Sequence, residues 1–147
     1  MATGYRNAFI TLSPDCPVAA GQVPRQAMSI AGLEHALLID RPYHYAADDL
    51  ILAVHRRHKD IGDDELDAFR AILFAKSQPC MRLSMLTKRW GWGVHYDEEG
   101  RMALHGSETQ EYRHLAVRTD LRVMAARPAR RATGGRQRTA EIWEPGR

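Results

Sequence analysis

The chain has 147 residues, 44% of them hydrophobic and 27% charged, with a formal charge of +3; this is about one domain of ordinary globular composition, long enough to bury a core without staples. Its longest apolar runs, such as Ala36–Ile39 and Leu50–Val54, fall far short of the ~20 residues that span a bilayer, and the start MATGYRNAF shows no charged stretch followed by an apolar run, so the expected compartment is the cytoplasm. Six arginines against two glutamates from Arg127 onward give that segment +4 and leave −1 for the remainder, which argues against a broad basic groove on the body of the domain.

Asn7–Leu12, NAFITL, reads as a strand ended by the turn formers Ser13-Pro14-Asp15. After a linker with Pro17, Gly21 and Pro24, Ser29 is placed to cap a helix in which Ile30, Leu33 and Leu37 recur at helical spacing until Asp40-Arg41-Pro42. A second helix is expected from Asp48-Asp49, whose carboxylates suit the positive end of its dipole, burying Leu50, Ile51 and Val54. A third follows Gly62-Asp63, with Leu66, Phe69, Ile72 and Leu73 turned inward, and ends before Pro79; a short turn of helix is expected over Ser84–Lys88.

Asp97-Glu98-Glu99-Gly100 suits a type I turn followed by a left-handed glycine, which pairs Tyr96 with Met102 and Val94 with Leu104, and sets Trp92 on the same face. The opposite face then carries Gly91, Gly93, His95, Ala103 and His105, a shallow surface with two imidazoles. Ser107-Glu108-Thr109-Gln110 has the form of a capping box and should open a helix with Tyr112 and Leu115 inward. Leu121–Ala126 reads as another short helical stretch stopped by Pro128. The expected architecture is α+β: one domain over residues 1–126, an N-terminal strand and a hairpin packed against about four helices, followed by an Arg-rich, disordered tail over 127–147.

Chemistry concentrates between Ser77 and Leu104. Cys80 follows Pro79, with Arg82, Lys88 and Arg89 near in sequence; cations lower a thiol pKa, and His95 would serve as base. The plainer reading makes Cys80 a small buried hydrophobe. Lys88, Arg89, Trp90, Trp92 and the intervening glycines form a candidate surface for a phosphate-bearing or nucleotide-like ligand, with Trp90 available for stacking; equally, Trp92 anchors the core and the cations are solvated. Cys16 and Cys80 are too few for a disulfide framework and lack zinc-knuckle spacing, so no metal or other cofactor is expected. Asp48 and Asp49 are explained by helix capping, His55 and His58 by a solvated basic face, and Glu108 by its place in the capping box, from which it would also orient His105 or His95. The Arg-rich tail could contact nucleic acid or acidic lipid without sequence preference, but a tail this short is more simply a terminal extension with no selected partner.

The pieces NAFITLSPDCP, RPYHYAADDLILAVH, FAKSQPCMR and LTKRWGWGVHYDEEGRMAL together resemble a small bacterial family classed as a domain of unknown function, over about Tyr5 to Met124. Members usually have Tyr where this chain has Trp90 and Pro where it has Met85, and the segment beyond Arg127 departs from the usual family length. The resemblance implies no activity, substrate or cofactor. From the residues themselves, the leading expectation is a binding domain for a small anionic or nucleotide-like ligand at the hairpin, using Arg82, Lys88, Arg89, Trp90, Trp92, His95 and Glu108. The alternative is a thiol-dependent enzyme or redox protein with Cys80 as nucleophile, His95 as base and Arg82 stabilising developing negative charge.

Overall fold

The computed structural model describes residues 4–128; the proposed tail from Ala129 onward lies outside the described residues. The fold is α+β, with five α-helices and one mixed sheet among the described residues. Strand β1 (Ala8–Thr11) is central, followed by helices α1 (Ile30–Asp40), α2 (Ala47–Lys59), α3 (Leu66–Leu73) and α4 (Met85–Lys88), the hairpin β2 (Trp92–Tyr96) and β3 (Met102–Gly106), helix α5 (Gln110–Ala116) and strand β4 (Arg122–Ala125). The sheet order is β3-β2-β1-β4. β1 runs antiparallel to β2 and parallel to β4, pairing Phe9 with both His95 and Val123.

The hairpin has the register its turn dictates: Asp97 N–H donates to the Arg101 carbonyl, and Tyr96 faces Met102 while Val94 faces Leu104. Because alternate residues of a strand point to opposite faces, Ala8, Ile10, Val94, Tyr96, Met102 and Leu104 share one face. They pack there against Leu33, Leu37 and Leu38 of α1, Leu50 and Val54 of α2, and Leu86 of α4. Ser29 caps α1, its Oγ accepting from Gly32 N–H. At its first residue the outer edge of β3 is bridged by two bonds, Tyr43 N–H to the Met102 carbonyl and Met102 N–H to the Tyr45 carbonyl, which shortens the free edge open to self-association.

Several expectations are corrected. The segment expected to form a helix over Leu121–Ala126 is strand β4: Arg122 to Ala125 pair residue by residue with β1, and four residues are too few for their periodicity to distinguish the two. The N-cap of α5 is Thr109, whose Oγ1 accepts from Tyr112 N–H, two residues after the Ser107 of the expected capping box. In α3 Ile72 is not inward but 70% exposed, and none of the helix's residues is fully buried. The back of the hairpin is no shallow surface. A Cβ on Gly93 would lie 2.6 Å from Phe9 Cζ and 2.7 Å from Tyr112 Cε2, so α5 already occupies the space the glycine leaves.

Candidate functional site

Three groups of polar side chains stand out, each built by a different part of the fold. The first lies where the parallel pair β1 and β4 ends. Ser84 Oγ caps α4 by accepting from Leu86 N–H, and Thr87 Oγ1 donates back to the Ser84 and Met81 carbonyls. The loop after β1 is tied to this turn by Ser13 N–H donating to the Thr87 carbonyl. Lys88, the last residue of α4, is thereby sunk to 8% exposure. Burial pushes its ammonium pKa down; the Asp15 carboxylate pulls it back up, and Arg127 pushes it further down. Asp15 is oriented by the Ser13 hydroxyl, which donates to its Oδ1. Arg127 N–H donates to the Arg82 carbonyl, and Arg82 Nε donates to the Ala125 carbonyl. Arg82, Lys88 and Arg127 thus gather around the ends of the parallel strands, with Asp15 facing Lys88.

The remaining aromatic and basic residues of the hairpin go elsewhere. Trp90 and Trp92 are half-buried against the core. Trp92 Nε1 donates to the Gln22 carbonyl, and its ring lies over Gly21 and 5.1 Å from the His35 ring. Gly91, at φ +83°, sits so close to Ala20 that an added Cβ would be 2.2 Å from the Ala20 carbonyl oxygen. Glu108 is exposed and accepts from Gly21 N–H, which holds its carboxyl below the usual range; it clamps the same loop and orients neither histidine. Arg89 is exposed. Trp90, Gly91 and Trp92 therefore grip the loop over Ala20–Gln22.

The second group is on the other face of the sheet. Tyr43, itself at φ +58°, brings its hydroxyl 2.7 Å from His95 Nδ1 and 3.2 Å from His105 Nε2. Burial is the main cause lowering both imidazole pKa values; His105 and Arg118 lower that of His95 further, against Asp97 and Asp120, while Glu111 opposes the shift at His105. Both rings are held toward neutrality. His95 Nε2 is buried without a hydrogen-bond partner.

The third group surrounds Cys80. Its Sγ lies 3.3 Å from the Tyr5 hydroxyl, and the Tyr5 ring meets Tyr96 edge-on at 5.4 Å. Tyr96 is on the core face and His95, its neighbour in sequence, is on the other. The sheet therefore stands between the Cys80 cluster and His95, and it does not bring together the pair expected as nucleophile and base. Nor do the two free thiols share a partner: Cys16 donates to the Val18 carbonyl at 3.6 Å. Among the described residues no group of three His, Cys, Asp or Glu could hold a metal, and no helix is long and apolar enough to cross a membrane.

Sequence reasoning passed over Tyr5, Asp15, Glu34 and Tyr43. Glu34 of α1 accepts from Ser84 Oγ at 2.6 Å, and burial raises its carboxyl to about 7 although that hydrogen bond favours the charged form. The signal available beforehand was slight: an acid between Leu33 and His35 on an otherwise apolar helix.

Among the described residues a mixed four-stranded sheet, with α1 and α4 on one face and α5 on the other, defines a small α+β domain. Compared with family models, residues 1–132 match the Family of unknown function (DUF6157), and the chain belongs to that family. No curated protein and no solved structure matches it.

Proposed function

We propose that this domain binds a small anionic ligand at the end of the parallel strand pair, with Lys88 at the centre of the site and Arg82 and Arg127 beside it. The observation that carries this reading is the burial of Lys88 where its charge is disfavoured, with Asp15 facing it and Arg127 adding to the positive charge around it. A buried cation costs free energy unless it is paired, and a phosphate or carboxylate entering here adds negative charge that favours the protonated amine. Ligands also favour the outer ends of parallel strands, where loops converge on a fixed scaffold. Helix α4 contributes Lys88 and the hairpin only the structural grip of Trp92, while Arg89, Trp90, His95 and Glu108 stay outside the site.

Thermal melting of the full chain with inorganic phosphate, pyrophosphate, nucleotides and small dicarboxylates tests this. A ligand at one hundred times its Kd stabilises by about 2.7 kcal/mol, a rise of several degrees for a domain of this size. Lys88→Met should abolish the rise. If none of these anions moves the wild-type melting curve, the reading fails.

A further inference from the structure

Cys80 is half-buried at the start of the turn leading into α4, and its sulfur is bonded to a hydroxyl, that of Tyr5. The guanidinium of Arg122 lies 5.6 Å from the centroid of the same Tyr5 ring. The second observation concerns Tyr96, which is 0% exposed and whose hydroxyl is buried without a hydrogen-bond partner. Negative charge on Cys80, Tyr5 or Glu34 would oppose ionisation of that hydroxyl, and the Met81 backbone N–H offsets part of that effect. A buried hydroxyl left unpaired is costly. The Tyr96 ring meets the ring of Tyr5, whose hydroxyl touches the Cys80 sulfur, and an oxygen added to that sulfur would offer the unpaired donor an acceptor.

We propose that Cys80 is a peroxide-reactive thiol whose sulfenic acid is held by the hydroxyls of Tyr5 and Tyr96. The sulfur attacks one oxygen of hydrogen peroxide or an organic hydroperoxide; the S–O bond forms as the O–O bond breaks. The thiol proton leaves with the departing oxygen as water, or as the alcohol. Sulfur loses two electrons and the peroxide gains two, which places the product on the first, reversible step of cysteine oxidation. Tyr96 then donates to the new oxygen, while Tyr5 keeps its contact with the sulfur. The modification uses no residue of the anion site and does not depend on it.

The experiment treats the folded full chain with hydrogen peroxide and traps sulfenic acid with a 1,3-dicarbonyl probe, reading both cysteines by peptide mass spectrometry. Cys80 should label faster than Cys16, the internal comparison. Tyr96→Phe, with its melting temperature measured in parallel, should slow Cys80 labelling about tenfold, the effect of one lost hydrogen bond to the developing charge. Should Tyr96→Phe fail to fold, Tyr5→Phe takes its place with the same expectation. Labelling of Cys80 no faster than Cys16, or an undiminished rate in the folded phenylalanine variant, overturns the proposal.

Discussion

Glu34→Gln should stabilise the protein, and only at neutral to alkaline pH. The Glu34 carboxyl is raised from 4.5 to about 7 by burial, so the native state holds its proton more tightly than the unfolded chain does. The sign follows from linkage: below about pH 4.5 both states are protonated and nothing is lost, between there and pH 7 the cost of ionising a buried acid accumulates, and above pH 7 it is constant. A rise of this size corresponds to about 3 kcal/mol. Gln removes that cost but keeps an oxygen to accept from Ser84 Oγ, the 2.6 Å bond of the native side chain. Urea denaturation and calorimetry should find the variant close to wild type at pH 5 and up to about 3 kcal/mol more stable at pH 8, roughly 10 °C in Tm. An equal offset at the two pH values, or none at pH 8, would refute the assignment of a buried, proton-holding carboxyl to Glu34.

The Tyr43 cluster should act in the opposite direction. His95 and His105 have folded pKa values below that of the unfolded chain, so the stability they contribute is present above pH 6.5 and is lost as the pH falls through that value; in the Glu34→Gln background Tm should fall from pH 7.5 to 5.5, and the His95→Gln, His105→Gln double variant should flatten that slope. Gly93→Ala forces a methyl group against Phe9 and Tyr112 and should lower stability by about 1–3 kcal/mol, read from the denaturation midpoint. Ser29→Ala removes the cap on Gly32 N–H and should cost about 1 kcal/mol by the same measurement. Lys88→Met should eliminate a buried charge, so any loss of anion-induced stabilisation should come without loss of Tm in the free protein.

What the sequence carried locally, it carried well. The hairpin register follows from one turn and one alternation, so Tyr96 and Met102 could be paired from ten residues of text; the start of α1 follows from Ser29 and the spacing of Ile30, Leu33 and Leu37. β4 was not legible because its reason for being a strand is remote. Arg122–Ala125 has no period of its own and is extended only because β1 offers a free edge at the other end of the chain. The candidate sites fail to show for the same physical reason. His95 is visible as a histidine on a strand, but its partner Tyr43 lies 52 residues away in a loop. Glu34 is visible as an acid on a helix, yet its pKa is set by burial against a turn 50 residues further on.

Lys88 shows what such a misreading consists of. In sequence it stands beside Arg89 and looks like one of two solvated cations flanking a tryptophan. In the fold these neighbours part: Arg89 remains in solvent while Lys88, held at the end of a single helical turn by the Ser84 and Thr87 hydroxyls, goes under the loop that carries Asp15. The chemical difference between the two cations is therefore made by hydrogen bonds that satisfy the α4 backbone, and the ligand chemistry proposed for Lys88 depends on those hydroxyls as much as on the amine. Thr87→Val, which keeps the side-chain shape but removes the donor to the Met81 and Ser84 carbonyls, should accordingly weaken anion-induced stabilisation without touching a charge. An unchanged anion response in a folded Thr87→Val protein would show that the burial of Lys88 does not rest on that turn.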